Sequence, residues 1–243
     1  MKLIKLDAIA STNSYLRSLS THEKLEDFTV VVTDRQLEGK GQMGTSWEVE
    51  AGKNLTFSVF KKISCLNNEE QFYVSMATSL AIFKALETFN IRRLGIKWPN
   101  DILSANQKIC GILIENIVQN NQMQAAVIGI GLNVNQTDFG HLQSASSMKL
   151  LNGVTYQLEE ILHSIVAQLK VYAVYVEDRR FDELKEAYER KLFRKDKPST
   201  FKDQEGNLIM GFIKGVSHSG KLQVLLEDHV LKDFDLKELK LLY

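Results

Sequence analysis

Apolar and polar positions alternate along residues 54–60, NLTFSVF, with Leu55, Phe57 and Val59 set against Thr56 and Ser58. Period two predicts a half-buried strand. The β-branched run FTVVVTDRQ at 28–36 predicts another, and residues 2–6 a short first one. Between these, Ser11 and Thr12 offer N-cap oxygens to a helix through Tyr15, Leu16 and Leu19. Asn67 or Asn68, followed by Glu69 and Glu70, opens a helix near 69–89 in which Phe72, Tyr73, Met76, Leu80, Phe83 and Leu86 recur at helical spacing.

Short strands follow around GIKW and DILS, with a turn at Ala105-Asn106. The apolar run KICGILIENIV and the stretch MQAAVIGIGLNV flank Asn120-Asn121, which predicts a hairpin. From Leu158 to Val176 the pattern is that of a long amphipathic helix, and a charged helical stretch, RFDELKEAYERKLF, comes next. Beyond Pro198 the texture changes to short strands separated by the turn signals QEGN and HSGK. That is the pattern of a small SH3-like β-barrel. The expected fold is therefore α/β, with one domain over 1–195 and a barrel over 196–243.

The chain has 243 residues, 44% hydrophobic and 25% charged, enough to bury a core. Thirty basic residues balance thirty acidic ones, so no global field favours DNA or an anionic membrane. Cys65 and Cys110 lack C-x-x-C spacing, and the five histidines lack H-x-x-x-H spacing. Free thiols in a reducing compartment and no structural zinc are the expectation. Lys5 and Asp7 interrupt any apolar signal-peptide core, and no apolar run reaches the ~18 residues of a membrane span. The chain is expected to be cytoplasmic.

Two segments carry chemistry. The first, EGKGQMGTSW at 38–47, satisfies G-x-G-x-x-G at Gly39, Gly41 and Gly44. A dinucleotide loop must open a helix, because the helix N-terminus supplies the N–H groups that hold a pyrophosphate. Here TSWEVEAGKNLTF follows, with no helical period, so a dehydrogenase reading fails. The loop is either a plain glycine turn or a cover whose amides and Lys40 close over an anion, with Trp47 packing on a ligand or filling core. The second, KWPNDIL at 97–103, places Lys97, Asn100 and Asp101 around Pro99. Lys108 stands at the entry of the apolar run, with Gly111 inside it. An exposed strand edge is the plain reading of that lysine, but a glycine within a strand often marks close approach of a ligand. If 101–108 forms a hairpin, Asp101 and Lys108 begin adjacent strands and face one pocket.

Five ordered pieces together resemble biotin protein ligase, also called biotin–[acetyl-CoA-carboxylase] ligase. They are STN at 11–13, RQLEGKGQMGTSW at 35–47, KWPNDI at 97–102, KICGILIE at 108–115 and GIGLNVN at 129–135. The resemblance implies a mixed sheet flanked by helices, related to class II aminoacyl-tRNA synthetases, plus the SH3-like barrel. It implies that Ser11, Thr12 and Asn13 line a biotin pocket and that Gln36 bonds the ureido region. Gly39, Lys40 and Gly41 would belong to a loop closing over biotin and the adenylate phosphate, with Gln42 and Trp47 beside the adenylate. Lys97, Asn100 and Asp101 would serve the nucleotide phosphates, Asp101 also as a magnesium ligand. Lys108 would bond the biotin carboxylate and the phosphate, Gly111 would give the ligand room, and Asn133 would reach the adenylate. Lys108, Asp101 and Lys97 are the catalytic candidates.

The loop departs from the family's commonest wording, G-R-G-R-x-G-R-x-W, at Lys40, Gln42 and Thr45. Lysine keeps the charge but lacks arginine's planar fork. The implied reaction joins biotin and ATP into biotinyl-5′-AMP with Mg²⁺ as cofactor, then passes biotin to a lysine of a biotin carboxyl carrier protein. The reading expects a monofunctional ligase without an N-terminal DNA-binding domain, acting as a monomer or homodimer. A lipoyl or octanoyl ligase of the same fold is the nearest alternative; those enzymes usually carry R-R-x-S-G-G-G and lack K-W-P-N-D. A non-catalytic biotin sensor is the alternative of a different class.

Overall fold

The computed structural model describes residues 2–64, 66–119 and 122–243. Cys65 and the Asn120-Asn121 turn lie outside the described residues. The chain runs β1 (Leu3–Ile9), α1 (Thr12–His22), β2 (Thr29–Gln36), β3 (Leu55–Lys62), α2 (Phe72–Thr88), β4 (Leu94–Lys97), β5 (Asp101–Ser104), β6 (Gln107–Gln119) and β7 (Gln122–Leu132). It continues through α3 (Met148–Asn152), α4 (Leu158–Glu177) and α5 (Phe181–Glu189). The last strands are β8 (Pro198–Asp203), β9 (Leu208–Val216), β10 (Leu222–Leu226), β11 (Leu231–Phe234) and β12 (Leu239–Leu242).

The first seven strands form one mixed sheet, ordered β1-β2-β3-β7-β6-β5-β4. Only β1 and β2 pair in parallel, because α1 carries the chain across between them; the remaining pairs are antiparallel. Side chains alternate between two unequal faces. Phe57, Val59, Ile112, Ile128 and Ile130 enter the main core with Met76, Leu80 and Ile82 of α2 and Ile161, Ile165 and Leu169 of α4. On the opposite face Val31, Phe60, Ala125 and Val127 pack under Leu16 of α1. The helix covers one end of that face, and the rest is left for a pocket.

Both helix starts follow from local chemistry. Ser11 caps α1, its Oγ accepting from Ser14 N–H at 3.4 Å. Asn67, rather than Asn68, makes a reciprocal capping box with Glu70 over a 3₁₀ turn at Asn68–Glu70, and α2 begins two residues later. Each such cap contributes on the order of 1 kcal/mol.

The half-buried reading of 54–60 is corrected: Leu55 through Lys61 are all buried. The polar side of β3 is covered by α1 instead of water, and Ser58 hydrogen bonds with residues of that helix. The short α3 had no periodic signal. It is set by its ends, Ser147 Oγ accepting from Leu150 N–H at 3.2 Å and Gly153 ending it at φ 74°.

Residues from Pro198 onward form a second, antiparallel sheet ordered β11-β10-β9-β8-β12 around Phe201, Ile213, Val216, Leu222 and Val224. It docks on the first sheet's far end. Trp98 Nε1 donates to Gly220 O at 2.9 Å, and Glu189 Oε1 accepts from Val216 N–H at 3.0 Å. Among the described residues no helix is long and apolar enough to cross a membrane.

Candidate active site

A pocket of about 260 Å³ opens on the sheet face that α1 leaves uncovered. Its floor exists because three strand positions are glycine. A Cβ at Gly129 would stand 2.5 Å from Asn13 Oδ1, and one at Gly131 would run into the Trp47 indole. Gly131 is paired with Gly111, where a Cβ would lie 3.1 Å from the same ring. The indole therefore packs against a cross-strand glycine pair, and a side chain at Gly131 would exclude it from that position.

Trp47 reaches this position because the 39–47 loop folds back on itself. Lys40 bridges Ser46, Gly41 N–H donates to Thr45 O at 2.7 Å, and Trp47 N–H donates to Gly39 O at 2.9 Å. Gln42–Gly44 form only a 3₁₀ turn, so no helix follows the glycines. The expectation that amides near residue 40 face an anion is not met at Gly41 and Trp47, whose N–H groups bond within the loop. Lys40 Nζ turns toward Ser14 Oγ, at 3.4 Å.

At one wall, Thr12 N–H donates to Gln36 Oε1 at 2.8 Å. Ser58 Oγ lies 2.7 Å from Thr12 Oγ1 and 2.6 Å from Asn13 Oδ1. At the other wall, Lys108 Nζ stands 2.6 Å from Asp101 Oδ1 and 5.5 Å from the Trp47 ring centroid. β5 and β6 are adjacent strands with a register shift between Ile102 and Leu103. Asn100 is held across this turn by its Nδ2 donating to Ile112 O at 2.8 Å.

The pocket thus gathers Ser11, Thr12, Asn13, Gln36, Lys40, Gly41, Gln42, Trp47, Asn100, Asp101, Lys108 and Gly111. Three expected residues fall outside its lining. Gly39 lies behind the wall, where a Cβ would collide with the Trp47 carbonyl. Asn133 is buried, its Nδ2 donating to Ser146 O at 3.0 Å. Lys97 lines a neighbouring cleft toward the C-terminal sheet, with Nζ 5.0 Å from the Tyr243 ring centroid and 3.9 Å from Asp101 Oδ2. Burial pushes the Lys97 pKa down, with Lys108 adding to that effect and Asp101 opposing it.

Among the described residues Asp101 is the only carboxylate in the lining, and its two oxygens face the two lysines. Among the described residues no group of three or more His, Cys, Asp or Glu could hold a metal. The residues present do not fit a protein-held magnesium ion, since an octahedral cation would have to displace an ammonium from Asp101. Cys110 lies beneath the site, fully buried, with its thiol pKa raised by burial.

Sequence reasoning missed Thr56 and Ser58, which it assigned to solvent. Thr56 Oγ1 and Trp47 Nε1 are buried pocket groups with no protein hydrogen-bond partner. Leaving such groups unpaired costs about 1–3 kcal/mol each.

A sequence model described as "Biotin/lipoate A/B protein ligase family" matches residues 6–133. The bifunctional ligase/repressor BirA of Bacillus spizizenii is 31% identical over 134 residues, covering 55% of this chain and 41% of that protein. The biotin–[acetyl-CoA-carboxylase] ligase of Mycobacterium tuberculosis is 30% identical over 138 residues, covering 54% of this chain and 50% of that one. The chain thus spans half or less of the length of these relatives. A solved biotin protein ligase from Aquifex aeolicus, in complex with biotin and ATP, superposes with a TM-score of 0.80 at 24% identity. That match covers 99% of this chain and 98% of the other, and at this identity it establishes the shared fold. With its matched segment carrying the sheet, the glycine floor and the Lys108–Asp101 pair, the chain belongs to the biotin/lipoate A/B protein ligase family.

Proposed function

We propose that this protein is an ATP-dependent biotin–protein ligase. Biotin's carboxylate is a poor electrophile and must first be activated. A carboxylate oxygen attacks the α-phosphorus of ATP, the bond to the β-phosphate oxygen breaks, and biotinyl-5′-AMP and pyrophosphate form. The ε-amine of a lysine on a biotin carboxyl carrier protein then attacks the acyl carbon. AMP leaves with the electrons of the C–O bond, and the amine's proton passes to solvent.

The observation that carries this reading is the Lys108–Asp101 pair at one wall of the pocket, opposite the polar Thr12–Gln36 wall. The bicyclic urea is assigned to the second wall and its carboxylate tail to the first. Two anions must meet at Lys108, so positive charge placed there in advance lowers the barrier without reorganisation. Lys97 and Lys40 add to that field from either side. Trp47 and the 39–47 hairpin exclude water from an anhydride that would otherwise hydrolyse. Asn100, on the pocket lining, is assigned to the nucleotide, whereas Asn133 is buried outside it. Magnesium would arrive on the ATP phosphates, supplying charge neutralisation there.

Biotin-, lipoate- and octanoate-dependent pyrophosphate exchange is the test. Exchange with biotin, followed by a mass increase on the carrier lysine, is the expected result. Exchange with lipoate or octanoate alone would reassign the substrate, and tight biotin binding without exchange would make the protein a sensor.

A further inference from the structure

Glu115 closes the KICGILIE stretch, yet nothing in the proposed chemistry uses it. Its Oε2 accepts a 2.7 Å hydrogen bond from Asn13 Nδ2, and the same nitrogen donates to Leu113 O at 3.2 Å. A carboxylate and a carbonyl only accept, so the atom facing them is the amide nitrogen, and Asn13 Oδ1 faces Ser58. Ser58 has one proton and two close oxygens. Asn13 Oδ1, which carries no proton, takes it. The 2.7 Å approach of the Ser58 and Thr12 hydroxyls must then be bridged by the proton of Thr12.

With that proton committed, the longer 3.1 Å approach of Thr12 Oγ1 to Gln36 Oε1 holds none, and Thr12 N–H alone satisfies Gln36 Oε1. One proton from each of Thr12, Ser58 and Asn13 then points along the series toward Glu115, while the second Asn13 N–H goes to Leu113 O. Thr12 Oγ1 is left offering lone pairs to the pocket, beside a Gln36 amide whose free donor is nitrogen. An acceptor next to a donor complements one edge of a cyclic urea, which presents N–H beside C=O.

We propose that Glu115 is a positioning residue for substrate recognition: it sets the direction of this hydrogen-bond chain, so that Thr12 Oγ1 accepts a ureido N–H and discriminates against a ring atom that only accepts. The proposal rests on the biotin reading. Glu115 touches no substrate and acts through Asn13 and Ser58.

Calorimetry with biotin, with ATP, and with a biotin analogue whose ureido N–H is replaced by ring oxygen tests it. Glu115→Leu should bind biotin roughly tenfold more weakly, the scale of one neutral hydrogen bond, with ATP affinity unchanged. Glu115→Gln, which still offers Oε1 to Asn13, should stay within about threefold of wild type. Wild type should reject the oxygen analogue by roughly tenfold or more, and Glu115→Leu by much less, because Thr12 is then free to turn its proton outward. Should Glu115→Leu fail to fold, Ser58→Ala cuts the same chain and should show the same selective loss.

Biotin affinity unchanged in both Glu115→Leu and Ser58→Ala would overturn the proposal, as would equal losses for biotin and ATP. A Glu115→Gln protein as weak as Glu115→Leu would also overturn it, by showing that charge rather than acceptor direction matters. Wild type that binds no biotin would overturn the substrate reading and this proposal with it.

Discussion

Lys108 Nζ and Asp101 Oδ1 stand 2.6 Å apart across the β5–β6 pair, and the same carboxylate faces Lys97 at 3.9 Å. One negative group thus serves two positive ones, leaving a net positive centre at the wall where the anions are proposed to meet. Lys108→Ala should lower biotin-dependent pyrophosphate exchange by about 10²–10³-fold, the usual effect of removing one donor to developing charge. Its thermal midpoint should move by less than about 5 °C, since the side chain is one-third exposed and its loss relieves no core packing. Exchange at the wild-type rate would remove Lys108 from the reaction.

Asp101 also governs Lys97. Burial lowers the Lys97 pKa, Lys108 lowers it further, and Asp101 is the group that raises it. Asp101→Asn deletes the raising interaction, so the Lys97 pKa falls further and its charge is lost at lower pH. If that charge assists the nucleotide, the alkaline limb of the exchange rate should shift to lower pH in Asp101→Asn and not in Asn100→Ala. An unshifted limb would exclude Lys97 from the rate.

How much of this was legible in the sequence depends on which interactions set each part. The helices α1, α2 and α4 were readable because their signals are local: cap oxygens at Ser11 and Asn67 ahead of the first two, and helical apolar spacing in α4. The grouping of Asp101 with Lys108 was readable because a tight turn links the strands that carry them. The burial of Thr56 and Ser58 was not, since alternation says which residues share a face but not what covers it. Gly129 and Gly131 stood in a quoted motif, but their purpose depends on Asn13 and Trp47, more than 80 residues away in the chain. Glu115 closes KICGILIE, but its role likewise depends on Asn13, 102 residues away.

Gly131 offers a direct check on the glycine floor. A methyl group there would stand where the Trp47 ring lies. Overpacking of this kind typically costs about 1–3 kcal/mol unless the neighbour moves, and here Trp47 sits on a loop that can lift. Gly131→Ala should therefore displace the indole more than it destabilises the fold. Tryptophan emission should shift to the red and adenylate retention should fall, with a small change in thermal midpoint. Unchanged emission would mean that Trp47 does not rest on the β6–β7 glycine pair in solution.

Glu189 ties α5 to the C-terminal sheet, and its ionisation makes that junction sensitive to acid. It ends α5, yet its Oε1 accepts from Val216 N–H of β9 at 3.0 Å, with Lys185 and Lys195 at 3.0 and 3.3 Å. Burial raises its pKa, but the Val216 amide and the two lysines outweigh that, and the net shift is downward from 4.5. A carboxyl group with a lowered folded-state pKa stabilises the folded form fully above its unfolded value. That stabilisation is lost as pH falls through the folded-state value. Docking of the C-terminal sheet should therefore weaken below about pH 4.5. Glu189→Gln keeps the shape and one acceptor but removes the charge. Its thermal midpoint should sit below wild type at pH 7, and the gap should close as pH falls toward 3. Amide hydrogen exchange at Val216 is the local readout, with protection lower in the variant than in wild type at pH 7 and falling in wild type under acid. Equal protection in both proteins at pH 7 would show that packing alone, and not this carboxylate, holds α5 to the C-terminal sheet.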